Sequence, residues 1–169
     1  MFKSMVRIGM SLIFNGLRVL KGAILALFLL MAGVASAQQA FERQELLIQT
    51  KDGKTHTFEV ELALTADQRS QGLMQRQDMP ADHGMLFDFG ESRPVAMWMK
   101  NTPLPLDMLF IQRDGVISHI HKRAVPFSES IIDSRGPVAY VLELNGGRTD
   151  ALDIKIGDRV INKRIDSGK

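Results

Sequence analysis

Two carboxylates stand in stretches that hydrophobic patterning would fill with apolar side chains. Asp107 falls within Leu106-Asp107-Met108-Leu109-Phe110-Ile111, and Glu143 within Tyr140-Val141-Leu142-Glu143-Leu144. A carboxylate buried in such a strand needs a partner. Arg76 and Lys100 are the basic candidates, so Arg76, Lys100, Asp107 and Glu143 are the candidates for one semi-buried polar network. As structure, that network fixes register; as a site, it binds a polar ligand. Two carboxylates about 5–10 Å apart also do acid–base hydrolysis of glycosidic bonds. Asp107 and Glu143 are the one pair that supports a reading as an enzyme, of unknown class.

The second concentration of chemistry is Met97-Trp98-Met99-Lys100-Asn101-Thr102, which leads through Pro103-Leu104-Pro105-Leu106 to Asp107 and holds the only tryptophan. Read as a strand over 95–101, it puts Val95, Met97, Met99 and Asn101 on one face and Ala96, Trp98 and Lys100 on the other. The methionines then belong to the core. Trp98 and Lys100 look outward together, an indole platform beside an ammonium handle for an anion. Trp98, Lys100, Asn101 and Asp107, supported by Arg76 and Glu143, are the expected ligand-binding residues. Methionine thioethers are also soft ligands. Met74, Met79, Met85, Met97, Met99 and Met108 therefore carry an alternative, copper(I) binding, against the ordinary use of methionine as core filler. His119 and His121 share a strand face but lack an evident third ligand and an HExxH motif, so no metal and no cofactor is expected. The serines have neither GxSxG nor SxxK around them.

The elements that must hold these residues are mostly strands. Glu45–Thr50 and Thr55–Leu62 flank Lys51-Asp52-Gly53-Lys54, a hairpin turn. Phe58, Val60, Leu62 and Leu64 alternate with Thr57, Glu59 and Glu61, which predicts one buried and one wet face. Thr65 with Gln68 forms a capping box that starts a helix over 66–74. Gly84 and Gly90 bracket a short strand at 85–89. Further strands are expected at 106–112, 116–121, 137–144 and 159–162, with a helical turn near 149–154. Residues 122–136 read as a long loop, with a short strand at Ile131-Ile132 as an alternative for its later part, in which Pro126-Phe127 exposes an aromatic, a candidate contact for a protein partner. No alternating βα units and no glycine-rich nucleotide loop occur. The expected fold is mainly β: a small, mostly antiparallel barrel or sandwich of 7–8 strands with one short helix near residues 66–74.

The ends bound the setting. Lys3, Arg7, Arg18 and Lys21 precede an apolar run from Gly22 to Ala35, and Ala35-Ser36-Ala37 supplies small residues for cleavage. That is a secretory signal peptide over 1–37, cut after Ala37. At 14 residues the run is short of the roughly 20 that span a bilayer, so no stable membrane anchor is expected after cleavage, and the product is periplasmic or secreted. All 19 acidic residues lie after residue 37, against 17 of the 21 basic ones. The remainder carries about −2, with no basic cluster for nucleic acid. It has no cysteine, which excludes thiol catalysis and disulfide staples. Residues 164–169 are expected to be a frayed end.

The chain resembles the DUF192, or UPF0127, family over a single domain at 44–163. The resemblance is carried by Arg69-Ser70-Gln71-Gly72-Leu73-Met74-Gln75-Arg76, Gly84-Met85-Leu86-Phe87-Asp88-Phe89 and Trp98-Met99-Lys100-Asn101-Thr102 with Pro105-Leu106-Asp107. Tyr140 to Gly147 and Gly157-Asp158 complete it. Met97 departs from it, since an aromatic residue more often precedes the tryptophan. The resemblance implies a compact β fold and a site near these blocks, and no established activity. The leading expectation is a non-catalytic exported domain that binds a small polar or anionic ligand near Trp98 and Lys100.

Overall fold

The computed structural model describes residues 41–166; the signal peptide read at 1–37 and the last three residues lie outside them. Strands β1 (Glu42–Gln49) and β2 (Thr55–Ala63) pair antiparallel across the Asp52-Gly53 turn, with Leu46 opposite Phe58 and Gln49 opposite Thr55. Gly53 takes the positive φ of 86° that the turn demands. As the alternation predicts, Phe58, Val60 and Leu62 are buried. Helix α1 (Ala66–Gln71) follows with its capping box formed: Gln68 N–H donates to the Thr65 hydroxyl, and the Gln68 side chain accepts from Thr65 N–H. It stops at Gly72, short of the 66–74 expected.

The remaining elements are β3 (His83–Met97), β4 (Leu106–Ile111), β5 (Ile117–Ala124), β6 (Ile132–Asn145), α2 (Arg148–Ala151), β7 (Arg159–Ile161) and α3 (Lys163–Asp166). The seven strands make one sheet in the order β5-β4-β6-β3-β2-β1-β7. Within this sheet β2 and β3 are parallel and every other strand pairing is antiparallel. A parallel pair cannot be joined by a tight turn; α1 and the segment after it supply the crossover. The sheet curls until its edges touch at one end. There Val116 bridges Arg159, and Val160 N–H donates to Gly115 O at 2.8 Å. The result is a partial barrel.

One face of the sheet encloses Leu46, Ile48, Phe58, Val60, Leu62, Leu86, Leu109, Ile111, Leu142 and Leu144. The opposite face of the central strands is also apolar, with Met85, Phe87, Met108, Phe110 and Val141. Strands covered on both faces read as continuous apolar runs, which is why all six residues of β4 are buried. Leu73, Val95, Met99 and Ile132 pack in the second cluster and cover that outer face.

Four expectations differ from the structure. The strand expected to close at Gly90 runs on to Met97. Its register against β6 shifts between Asp88 and Arg93 and again between Pro94 and Ala96, and such bulges bend a strand. The strand expected over 95–101 ends at Met97 because Met99 N–H is taken by Ser128 O and Thr102 N–H by Met99 O, which makes a turn. The long loop 122–136 is partly strand at both ends, and β6 begins at Ile132. Of the end expected to fray at 164–169, residues up to Asp166 form α3, where Arg164 pairs with Asp88 at 2.7 Å, and the rest lies outside the described residues. Among the described residues no helix is long and apolar enough to cross a membrane.

Candidate functional site

The strand register decides what each carboxylate can do. Asp107 lies opposite Leu144, and Met108 opposite Glu143. Paired residues share a face and neighbours alternate, so Asp107 and Glu143 point to opposite sides of the sheet.

Asp107 is fully buried and wholly occupied. Its Oδ1 accepts from Arg123 N and Gly147 N, both at 2.9 Å. Its Oδ2 accepts from Thr149 N at 2.9 Å and Thr149 Oγ1 at 2.6 Å. Four donors satisfy a carboxylate without any cation. The expected pairing with Arg76 or Lys100 is therefore not what the structure builds. Instead Asp107 ties the end of β5 and the start of α2 to β4. Arg76 is paired with Glu61, its Nη1 lying 3.0 Å from Oε1. The network expected from Arg76, Lys100, Asp107 and Glu143 is thus divided among separate places.

Glu143 is the contrasting case. It is 4% exposed, lies among the outer-face residues, and its carboxyl makes no hydrogen bond or ion pair among the described residues. Burial alone pushes it up to about 8, because the ionised form would lose its hydration with nothing in exchange. It is a neutral acid at neutral pH.

Glu143 is also a wall of a cavity of about 310 Å³. Helix α1 contributes Arg69 and Ser70, β3 contributes Phe87, Phe89, Arg93 and Met97, and the turn after β3 contributes Trp98 and Thr102. Gly72 shapes the cavity. Its φ of 47° with ψ of −137° is open to glycine alone, and a Cβ there would stand 3.1 Å from the Phe87 ring. Arg69 Nη1 donates to Leu64 O at 2.6 Å and Asp88 O at 2.9 Å, which fixes α1 against β3. The guanidinium groups of Arg69 and Arg93 lie 5.6 Å and 5.0 Å from the centroid of Phe89. Neither has a carboxylate partner among the described residues.

Trp98 is 44% exposed, and Lys100 Nζ stands 5.0 Å from its ring centroid. The two side chains meet in a turn rather than on one strand face, and Lys100, partly buried, lies beyond the cavity lining. Asn101 is exposed at the tip of the turn with φ 53°, a conformation asparagine tolerates, and its carbonyl accepts from Gln75 N at 2.7 Å. Trp98 and Glu143 thus line one cavity, Lys100 and Asn101 flank it, and Arg76 and Asp107 lie outside its lining.

Arg69, Phe89 and Arg93 were not read from the sequence as site residues. Arg69 was legible in outline, four residues after the helix cap and three before Gly72. Arg93 was not, since its place depends on the bulge in β3. Met85, Met99 and Met108 are fully buried in the outer-face cluster. His119 stacks on Phe110 with ring centroids 5.5 Å apart, and burial lowers its proton affinity. Among the described residues no group of three histidine, cysteine or acidic side chains gathers to hold a metal.

A curled seven-stranded sheet with a side cavity defines this protein as a small partial-barrel β domain. Residues 47–161 match the DUF192 family, described as an uncharacterized ACR, and the chain belongs to that family. It is similar to a solved structure of a provisional transcription regulator from Sinorhizobium meliloti 1021, at 55% identity and a TM-score of 0.74. That match covers 79% of this chain and all of the other. It is also similar to a protein of unknown function from Novosphingobium aromaticivorans DSM 12444, at 33% identity and a TM-score of 0.71. That match covers 75% of this chain and 89% of the other. No curated protein matches the sequence.

Proposed function

We propose that this chain is a non-catalytic exported domain that binds a small polar or anionic ligand at Trp98, in the cavity walled by Glu143. The observation that carries the reading is Glu143, a buried residue whose carboxyl has no hydrogen-bond partner among the described residues and which walls a cavity that also presents an aromatic platform and cations without an acidic partner among those residues. Burying a polar group without a partner is costly, and a ligand that completes its hydrogen bonding removes that cost. Export rests on the signal sequence at 1–37 and predicts a mature N-terminus at Gln38, which N-terminal sequencing of the extracytoplasmic protein checks. Binding is tested by thermal shift of the mature protein against sugars, amino acids, short peptides and organic and inorganic anions. A concentration-dependent rise in Tm with at least one polar or anionic compound supports the reading, and silence across the set argues against it.

A second reading is favoured by one observation: Val125, Phe127 and Ile131 are 67%, 64% and 67% exposed within 122–136. Clustered exposed apolar side chains mark contact surfaces. On this reading the loop docks a protein partner. A photo-crosslinker at position 127 that captures one discrete partner, lost in Ile131→Ser, supports it; no specific adduct argues against it.

A further inference from the structure

The charges around the cavity narrow the ligand class. Among its lining residues the charged types are Arg69 on α1, Arg93 on β3 and Glu143 on β6. Next to them Lys100 lies over Trp98, and Arg76 beyond α1 is already neutralised by Glu61. Arg69, Arg93 and Lys100 have no acidic partner among the described residues; of the two acids on β3, Asp88, whose carbonyl Arg69 binds, has its carboxylate held by Arg164, and Glu91 is exposed and makes no ion pair with them. A cation entering this cavity would meet uncompensated positive charge. An anion would meet its complement, provided that Glu143 keeps its proton.

We infer that the ligand is a small organic anion with an apolar body, its charge met by Arg93 and Arg69 and one of its polar atoms by the Glu143 carboxyl. The inference rests on the proposed binding site and deepens it. Phe89, Met97 and Trp98 supply an apolar wall for the body of the ligand. Protonated, Glu143 is a donor that has no acceptor among the described residues. Ionised, it would present a second negative charge to the ligand. Burial holds the proton to about pH 8, so anion binding weakens as pH rises through that value.

Benzoate, benzamide and benzamidine share size and shape and differ in charge. Each is titrated into the isotopically labelled mature protein at pH 6.5 and 9.5, with amide shifts around the cavity as the readout. The expected result at pH 6.5 is benzoate binding about tenfold more tightly than benzamidine, which corresponds to about 1.4 kcal/mol. Benzoate should weaken severalfold at pH 9.5. In Glu143→Gln, which keeps a neutral donor, that weakening should disappear, and Arg93→Met should reduce benzoate affinity at both pH values. Benzamide or benzamidine binding at the cavity as tightly as benzoate overturns the inference and leaves the binding site standing. A benzoate affinity with the same pH dependence in Glu143→Gln also overturns the inference. No cavity shifts with any of the three overturns the inference and the site together.

Discussion

Asp107 and Glu143 occupy neighbouring strands, one register step apart, and face opposite sides of one sheet. Asp107 is closed by four donors that hold loops in place; Glu143 has none among the described residues and walls a cavity. Two carboxylates that look equivalent in the sequence are a structural tie and a candidate ligand contact. They do not line one cleft, so the arrangement that paired-carboxylate hydrolysis needs is not the one built.

Asp107→Asn should be strongly destabilising. The amide replaces one acceptor oxygen with a donor, which then confronts N–H groups at a fully buried position. The expected loss is about 2–4 kcal/mol, read as a lower urea midpoint with an unchanged slope.

Glu143 should make stability fall with pH. Its folded value of about 8 lies above the ordinary 4.5, so between those values the folded state binds more protons than the unfolded one. The contribution is fully present below about pH 4.5, declines through the interval, and is gone above about pH 8. The bound on the change is about 5 kcal/mol. Urea unfolding of wild type and Glu143→Gln at intervals from pH 5 to 9 isolates it: wild type should lose stability relative to the variant as pH rises.

Gly72→Ala should lower stability by about 1–3 kcal/mol, since the new Cβ meets both a forbidden backbone conformation and the Phe87 ring. Thermal unfolding checks this. A silent substitution would show that α1 does not need its present seat over β3.

Phe127→Ser should leave folding within about 0.5 kcal/mol of wild type, because the ring is 64% exposed. Chemical unfolding measures it. A larger loss would place Phe127 in the domain's own packing and count against a role for 122–136 in contacting a partner.

Local features were legible in the sequence. The Thr65–Gln68 cap and the alternation of Phe58, Val60 and Leu62 involve neighbours in the chain, and both appear as expected. The central phase of β6 was also readable, with Tyr140, Leu142 and Leu144 on the interior face. The extension of β3 through Glu91-Ser92-Arg93-Pro94 was not, because its polar residues show no alternation and its pairing comes from residues some forty positions away. The partners of Asp107 escaped for a different reason. Three of its four donors are backbone N–H groups, which every residue carries and no side-chain pattern announces. Trp98 and Glu143 were each identified as site residues, but their sharing of one cavity depends on α1 and the bent arm of β3.

The most direct test of the central claim uses Trp98, the single tryptophan, as its own reporter. Its emission is followed during benzoate titration at pH 6.5 in wild type and in Ala96→Phe, where an exposed cavity-lining residue is enlarged to fill the space. A saturable change in wild type that is lost in Ala96→Phe is the predicted result. No change in wild type, or an undiminished affinity in Ala96→Phe, would contradict the cavity as the binding site.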